Sequence, residues 1–399
     1  MQLRQYSIGP SLLRQKLECL PLQVGRLRYL AHMTDHRTSV GRGIGLIWSP
    51  DILLPQRPPT VIYLDLNHWI NLTKASLARG SEPYIELLAA LRAARECRSI
   101  RVVLSVSFVE EFWAIRNPRQ RDDIVGLIDE LTDFEYLLGL PDVFRLELQA
   151  YLDQTVGGRG LKWGAVNLIG KSMLLGFGKK GGLRIIDEAT GDDITDRARQ
   201  EPQDGDPDWF ANLERRAEKD LLAGPRDAEL EGLRANGYQP ERSRESHHNN
   251  VLIEQYFADE MLDHHWRKGR LLELLSARHL SLELIDMFNA ELIARGVTLA
   301  DVATQSRQLL ELPLSMPASA VFVGLKVQYH RDASRRWTDN DLHDIGAMAL
   351  AIPYCDIVFT DAAVRNAAVT AGLDRAMSTR MPRSPAELTE MVEGFCACS

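Results

Sequence analysis

The chain has 399 residues, of which 45% are hydrophobic, and this is enough to bury a large core in more than one compact unit. Its formal net charge is −8, which excludes a polycation drawn to nucleic acid by global charge alone. Any binding of nucleic acid must therefore depend on a local basic patch.

Signals for export or membrane insertion are not evident in the sequence. No apolar run reaches the length of a membrane span, and residues 1–20 lack the unbroken apolar stretch of a signal peptide. The five cysteines are odd in number, and their spacings fit neither a zinc site nor a disulfide framework. We therefore expect a reduced, cytoplasmic protein that does not associate with membranes.

The first part of the chain divides into an extension and the beginning of an α/β core. Residues 1–58 are predicted to be a mostly helical N-terminal extension that ends in the proline-rich stretch LLPQRPPT. In 59–140, the apolar runs VIYLD (61–65) and RVVLSVS (101–107) predict buried strands, with a helix at 83–96 between them. Two further helices, FVEEFWAI and IVGLIDEL, follow. This alternation predicts a parallel sheet.

The second part of the chain begins with a segment in which strand signals become sparse. Residues 141–318 are predicted to be a mostly helical insertion, with a loop near 187–208. The α/β pattern returns in 319–399, where DNDLHDIGAMALAI predicts a helix that Pro353 should stop, and DIVFT (356–360) predicts a buried strand. The two halves of the predicted core are thus separated by the insertion.

Two predicted strands each lead directly into an aspartate. Asp65 follows VIYL, and Asp361 follows IVFT. In an open parallel sheet, ligands bind outside the carboxyl ends of the strands, where the strand order reverses. Each aspartate could instead cap the helix that follows it, and for either residue alone capping is the better interpretation. Taken together with two further acids, the pair favours a functional site.

The third acid is either Glu110 or Glu111. Ser107 lies three residues before Glu110, which is the spacing of a capping box, so Glu110 would fold back on the helix start. Glu111 lies on another face of the same helix. We therefore select Glu111 as the third acid of the site. The competing interpretation is that Glu111 is a solvated surface glutamate.

The fourth acid lies in the helix WTDNDLHDIGAMALA. Thr338 and Asp341 have capping-box spacing, which predicts that the helix starts near them. Asp344 comes one turn later beside apolar residues, where a carboxylate is costly unless a positive charge meets it. Asp341 shares a helix face with Asp344 and is a further candidate ligand.

Carboxylate oxygens are the ligands that Mg²⁺ and Mn²⁺ prefer. Such ions can bind a phosphodiester, lower the pKa of an attacking water and stabilise the leaving oxygen. Without the ion, a cluster of acids would repel itself and some of its pKa values would rise. The four acids therefore predict a site that depends on Mg²⁺ or Mn²⁺, with the ligands Asp65, Glu111, Asp344 and Asp361.

These blocks resemble a known family, the PIN-domain nucleases. YLDLNHWINL resembles the opening strand of that family, with Asp65 and Asn67 in its Asp-x-Asn signature. LSVSFVEEF resembles the second strand and helix, with Glu111 at the acidic position. HDIGAMALAIPYCDIVFTD resembles the closing block, in which the matching residues are Asp344, Thr360 and Asp361.

The resemblance covers about 61–140 and 319–375. It implies a PIN-like three-layer sandwich with a central parallel sheet, and hydrolysis of single-stranded RNA with Mg²⁺ or Mn²⁺, often in toxin–antitoxin systems or RNA processing. The chain departs from the family pattern in the long insertion between Glu111 and Asp344, and in the Ala-Ala-Val that follows Asp361. The departures concern the substrate and the biological role more than the fold.

The sequence also contains candidates for binding the substrate and for orienting ligands or water. Asn67 and Thr360 would orient ligands or water. A basic stretch (Arg331, Arg335 and Arg336, followed by Trp337) and Arg365 are typical of contacts to a nucleic-acid backbone, and Arg336 and Arg365 are the residues that we select. Salt bridges on a solvated surface are an equally good interpretation of these arginines.

Three functional hypotheses follow from the sequence. The first is an endoribonuclease that acts on single-stranded RNA, and the second is an inert PIN-like scaffold that binds RNA or a protein. The third is a nucleotide-handling enzyme that uses the loops around Lys171 or Lys179, since GAVNLIGKS and GFGKKGG loosely resemble phosphate-binding motifs. The insertion is a candidate surface for a protein partner, and a homo-oligomer remains open.

Overall fold

The computed structural model describes residues 45–55, 59–158, 163–179, 184–187, 189–201 and 206–396. Most of the predicted N-terminal extension therefore lies outside the described residues. The loop predicted near 187–208 is described in part, and there it contains the short helix Thr195–Gln200.

The strands are short, and most of their residues are buried. In chain order they are β1 (Ile52–Leu53), β2 (Thr60–Leu64), β3 (Ile100–Val103), β4 (Glu135–Leu137), β5 (Val166–Asn167), β6 (Ile169–Lys171) and β7 (Ile357–Phe359).

Helices make up most of the described chain, and short 3₁₀ or π turns separate some of them at 227–229, 257–261, 266–270 and 280–284. The α-helices are α1 (Leu66–Ser76), α2 (Glu82–Glu96), α3 (Val106–Phe112), α4 (Pro118–Thr132), α5 (Leu140–Val156), α6 (Met173–Gly176), α7 (Thr195–Gln200), α8 (Trp209–Ala223), α9 (Leu230–Ala235), α10 (Pro240–Tyr256), α11 (Leu271–His279), α12 (Ile285–Arg295), α13 (Leu299–Val302), α14 (Ser306–Ser315), α15 (Pro317–Arg331), α16 (Asp339–Tyr354), α17 (Ala362–Ala371), α18 (Leu373–Met377) and α19 (Pro385–Cys396).

The central sheet is parallel, and its order places the first strand of the core in the middle. β2 pairs with β3 on one side and with β7 on the other, so that Tyr63 lies opposite Val103 and Val358. Beyond β3, Leu104 bridges in parallel to Tyr136 of β4. The order β4–β3–β2–β7 therefore reverses at β2, and the crevice at the carboxyl end of β2 is where such sheets bind ligands.

The sheet has helices on both faces. Ile62 and Leu64 belong to a hydrophobic cluster with residues of α1, α2 and α4, whereas Val61 and Tyr63 belong to a second cluster with residues of α15, α16 and α17. Alternate side chains enter different clusters because successive residues of a strand point to opposite faces. The prediction of an α/β fold with a parallel central sheet is confirmed at this level.

The region predicted as a mostly helical insertion carries α5 to α14, together with the short strands β5 and β6. β5 pairs in parallel with β1, and β6 pairs antiparallel with β4, so the region adds strands to the core as well as helices. The weak phosphate-loop string GAVNLIGKS forms these two strands. A glycine-rich loop at the start of a long helix, which a phosphate-binding motif requires, is not what this segment forms.

Two local predictions were wrong. The helix α3 is capped by Ser105, whose Oγ accepts from the Phe108 N–H at 3.2 Å, so Ser107 is not the cap and cannot hold Glu110 in a capping box. Pro353 does not stop α16, which continues to Tyr354. Proline lacks an N–H and its ring crowds the carbonyl four residues earlier, and the helix ends one residue after Pro353.

Candidate functional site

Asp65 and Asp361 both cap helices, and both line one pocket of about 310 Å³. Asp65 Oδ1 accepts from the Leu66 N–H at 2.8 Å, and Asp361 Oδ1 accepts from the Val364 N–H at 2.8 Å. From the sequence, helix capping and a place in a functional site were alternative interpretations of these two aspartates. The structure shows that one carboxylate does both, because the end of the strand directs the capping group to the sheet edge.

The α3 helix delivers Glu111 to the same pocket. Its neighbour Glu110 turns towards α16, where its carboxylate lies 3.6 Å from Nδ1 of His343. Burial lowers the pKa of His343 to about 4, so this histidine is neutral at pH 7 and the contact is not an ion pair. The two glutamates therefore face different surroundings, and Glu111 is the one that the pocket contains.

The α16 helix contributes Asp341 and Asp344. Thr338 and Asp341 form the predicted capping box, in which Asp341 Oδ2 accepts from the Thr338 N–H at 2.8 Å. The other oxygen of Asp341 accepts from the guanidinium of Arg335. Both oxygens of Asp341 are therefore engaged within the protein, whereas Asp344 lies one turn further along the pocket wall.

The four predicted acids thus come from four different elements and meet in a single pocket at the carboxyl end of β2 and β7. The described residues that line it are Asp65, Asn67, Glu111, Tyr329, Arg335, Asn340, Asp341, Asp344, Asp361, Ala363 and Val364. Residues as far apart in sequence as Asp65 and Asp361 approach each other because β2 and β7 are neighbouring strands.

The charges of these acids oppose one another. Burial first, and then the charges of Asp65 and Asp361, together raise the pKa of Asp344 to about 8. Burial likewise raises the pKa of Glu111 to about 7, with the same two charges as secondary causes. At neutral pH a cluster of this kind holds protons unless a cation compensates its charge.

The pKa of Asp65 is also raised, chiefly by burial, since its side chain is 9% exposed. Three hydrogen bonds oppose this rise: one from the Leu66 N–H, one from the hydroxyl of Thr360, which donates to Asp65 Oδ2 at 3.2 Å, and a smaller one from the backbone of Asp361. Thr360 is itself buried, so it holds the orientation of Asp65 from behind the pocket.

Of the four predicted substrate-binding residues, two lie at or beside the pocket and two do not. Asn67 lines the pocket and Thr360 supports Asp65, as described above. Arg336 does not line the pocket, and its guanidinium pairs with Asp259 at 3.1 Å on the surface. Arg365 lies outside the lining as well, because its Nε donates to the Met381 carbonyl at 2.7 Å.

Sequence reasoning did not single out Tyr329 of the pocket wall, and within the basic stretch that it named it selected Arg336 rather than Arg335. Arg335 belongs to the basic stretch before α16, and its spacing to Asp341 could have suggested the ion pair that holds it there. Tyr329 lies in the apolar helix α15, where a buried tyrosine resembles any other core residue. No pattern in the sequence separates it from the core.

Hard divalent cations fit the chemistry of the donors, since the pocket offers carboxylate oxygens with uncompensated charge. In the part of the chain that the structure describes, no three or more His, Cys, Asp and Glu side chains stand in an arrangement that could hold a metal ion. The fit therefore rests on the type of the donors and on the direction of their pKa shifts.

Comparison with protein-family models, with curated proteins and with solved structures returned no match to this chain. Within the described ranges, no single helix is long and apolar enough to cross a membrane, and one pair, Arg307–Ser315 with Pro317–Arg331, meets that test only jointly, across a bend of 103°.

Proposed function

We propose that the chain is a metal-dependent endoribonuclease of PIN-like architecture that hydrolyses phosphodiester bonds of single-stranded RNA. The observation that carries the proposal is the meeting of Asp65, Glu111, Asp344 and Asp361 in one pocket at the reversal point of the sheet. These are the four acids that the resemblance to PIN-domain nucleases singles out. The parallel order β4–β3–β2–β7, with helices on both faces, supports the same architecture.

The four carboxylates would hold Mg²⁺ or Mn²⁺. When bound, such an ion supplies positive charge for the phosphodiester and lowers the pKa of a water near it. The protein's own residues would hold these carboxylates in position. The Thr360 hydroxyl and the Leu66 N–H hold Asp65 in place, and the cap bond from Val364 engages one oxygen of Asp361 and leaves the other for a ligand.

The insertion would shape access to this pocket. His247 of α10 stacks on His343 of α16 with ring centroids 4.0 Å apart, and its Nε2 lies 3.1 Å from the Asp339 carbonyl. A helix of the insertion therefore packs beside the helix that carries Asp344. An insertion at this position can restrict which strands enter the pocket, and it offers a surface for a protein partner.

The direct test incubates the purified protein with end-labelled single-stranded RNA and, separately, single-stranded DNA, in Mn²⁺, in Mg²⁺ and in EDTA. We expect RNA cleavage with either ion and none in EDTA. Asp344→Asn should abolish cleavage, and Glu110→Gln is the matched control, because Glu110 lies beside Glu111 on α3 but outside the pocket lining.

Four results would change the conclusion. Full activity of Asp344→Asn would refute the acidic site, and cleavage in EDTA would refute its dependence on metal. Binding of RNA without cleavage under any condition would favour the alternative of an inert PIN-like scaffold. A preference for DNA would keep the nuclease and change its substrate.

A further inference from the structure

A polar group in the acidic pocket has no partner within the protein. Tyr329 is 3% exposed and lines the pocket, and among the described residues its hydroxyl has no hydrogen-bond partner. A buried donor without an acceptor destabilises a fold, and such groups are rare in native proteins. A phenylalanine at this position would pack equally well without that cost, and because Tyr329 lines the pocket, a ligand bound there would supply the missing acceptor.

The hydroxyl lies within electrostatic reach of the acids. Burial raises the pKa of Tyr329 well above its ordinary value, and the charge of Asp344 is the next cause, with smaller contributions in the same direction from Asp341 and Asp361. The phenol therefore keeps its proton at neutral pH and can act only as a donor towards an anion.

Arg335 accompanies Tyr329 in the pocket wall. Its guanidinium carbon lies 3.7 Å from the centre of the Tyr329 ring, and one of its terminal nitrogens pairs with Asp341. Its Nε is buried and has no partner among the described residues. Stacking on the ring and pairing with Asp341 fix the plane of the guanidinium, so two buried donors, one of them cationic, belong to the same part of the wall.

We propose that this Tyr329–Arg335 pair binds a non-bridging oxygen of the phosphodiester, so that the substrate phosphate is held by these donors while the carboxylates face its other side. This inference rests on the proposed function and names its substrate contact. A phosphate carries negative charge and would be repelled by a pocket lined with carboxylates alone. Beside the proposed metal ion, this pair supplies hydrogen-bond donors and a cationic group in the same pocket.

The test compares Tyr329→Phe with the wild type. A matched control is Tyr136→Phe, because Tyr136 of β4 is also fully buried, its hydroxyl also lacks a partner among the described residues, and it does not line the pocket. Cleavage of single-stranded RNA is measured in Mn²⁺, with kcat and KM resolved. Binding of a nucleoside 5′-monophosphate, which cannot be cleaved further as a phosphodiester, is measured in the same buffer by calorimetry.

We expect kcat/KM to fall by about 10- to 100-fold in Tyr329→Phe, the loss that removal of one hydrogen bond to a charged group produces. Affinity for the monophosphate should fall with it. The melting temperature should stay the same or rise, because the variant loses an unsatisfied buried donor. Tyr136→Phe should change neither cleavage nor binding.

The outcomes separate this inference from the proposed function. If the wild type cleaves RNA and Tyr329→Phe retains its kcat/KM within twofold, the phosphate contact is wrong and the nuclease stands. If the wild type does not cleave but binds the monophosphate in a way that requires Tyr329, the nuclease is wrong and the phosphate contact stands. Absence of both cleavage and binding in the wild type would overturn both.

Discussion

Replacing Asp344 by asparagine should make the metal-free protein more stable at alkaline pH while removing its response to metal. The folded protein raises the pKa of Asp344 from 3.8 to about 8. Between these two values the folded state binds the proton more tightly than the unfolded state does, so the free energy of unfolding falls as the pH rises across the window. Asparagine carries no ionisable group and removes this loss.

The size of the effect follows from the shift. At 1.36 kcal/mol per pH unit, a rise from 3.8 to about 8 corresponds to about 6 kcal/mol of disfavoured ionisation. Asp344 is only half-buried, and its neighbours share the repulsion, so we expect about 3 kcal/mol of extra stability for Asp344→Asn at pH 8 in EDTA. At pH 4, where the carboxyl is protonated, the two proteins should differ by less than about 1 kcal/mol.

The assay is chemical unfolding of both proteins at pH 4 and pH 8, in EDTA and in Mn²⁺. Asp339→Asn serves as the control, because it removes a charge from the exposed first residue of the same helix. The reasoning is refuted if Asp344→Asn is less stable than the wild type at pH 8 in EDTA, or if Mn²⁺ stabilises both proteins equally.

Three further predictions concern metal binding and two buried acids outside the pocket. Mn²⁺ or Mg²⁺ at a hundredfold excess over Kd should raise the free energy of unfolding of the wild type by about 2.7 kcal/mol. The melting temperature in a thermal scan should rise accordingly, and EDTA should reverse the gain. Glu254→Gln should lower the free energy of unfolding by about 3–5 kcal/mol in urea titrations, because the buried Arg278 would lose its carboxylate partner and Lys326 would keep only Glu283, and an effect below 1 kcal/mol would contradict this. Burial raises the pKa of Glu147 to about 8, so wild-type stability should fall between about pH 4.5 and 8 through this group. Glu147→Gln should flatten that part of the stability–pH curve and keep the acceptor for the Tyr354 hydroxyl, whereas an unchanged slope would show that Glu147 does not titrate there.

Local patterns in the sequence were sufficient where short-range forces dominate. The apolar run before Asp65 and the one before Asp361 formed buried strands, since continuous β-branched and aromatic residues suit a sheet covered on both faces. The capping box of Thr338 and Asp341 was also readable, because its atoms belong to residues three positions apart. The capping box of Ser107 and Glu110 has the same spacing and did not form.

That failure has a physical reason. A cap requires the backbone to leave the strand conformation at one particular residue, and after β3 this happens at Ser105, two residues earlier than the pattern suggested. The competing serines look alike in sequence, and the end of the strand is set by pairing with β2 and by the bridge from Leu104 to β4. Prediction of helix boundaries is weakest where such pairing decides them.

Composition and local pattern thus identified an α/β chain, its two core strands that end in aspartate, and four acids that could share one ligand. The selection of Arg335 over Arg336, and the presence of Tyr329 in the pocket, depended on how α15 and α16 pack against the sheet. Arg335 and Arg336 both lie in the connection between α15 and α16, yet Arg335 lines the pocket whereas Arg336 pairs with Asp259 on the surface. Contacts between residues distant in sequence arise from packing of whole elements, and a single sequence contains no local signal for them.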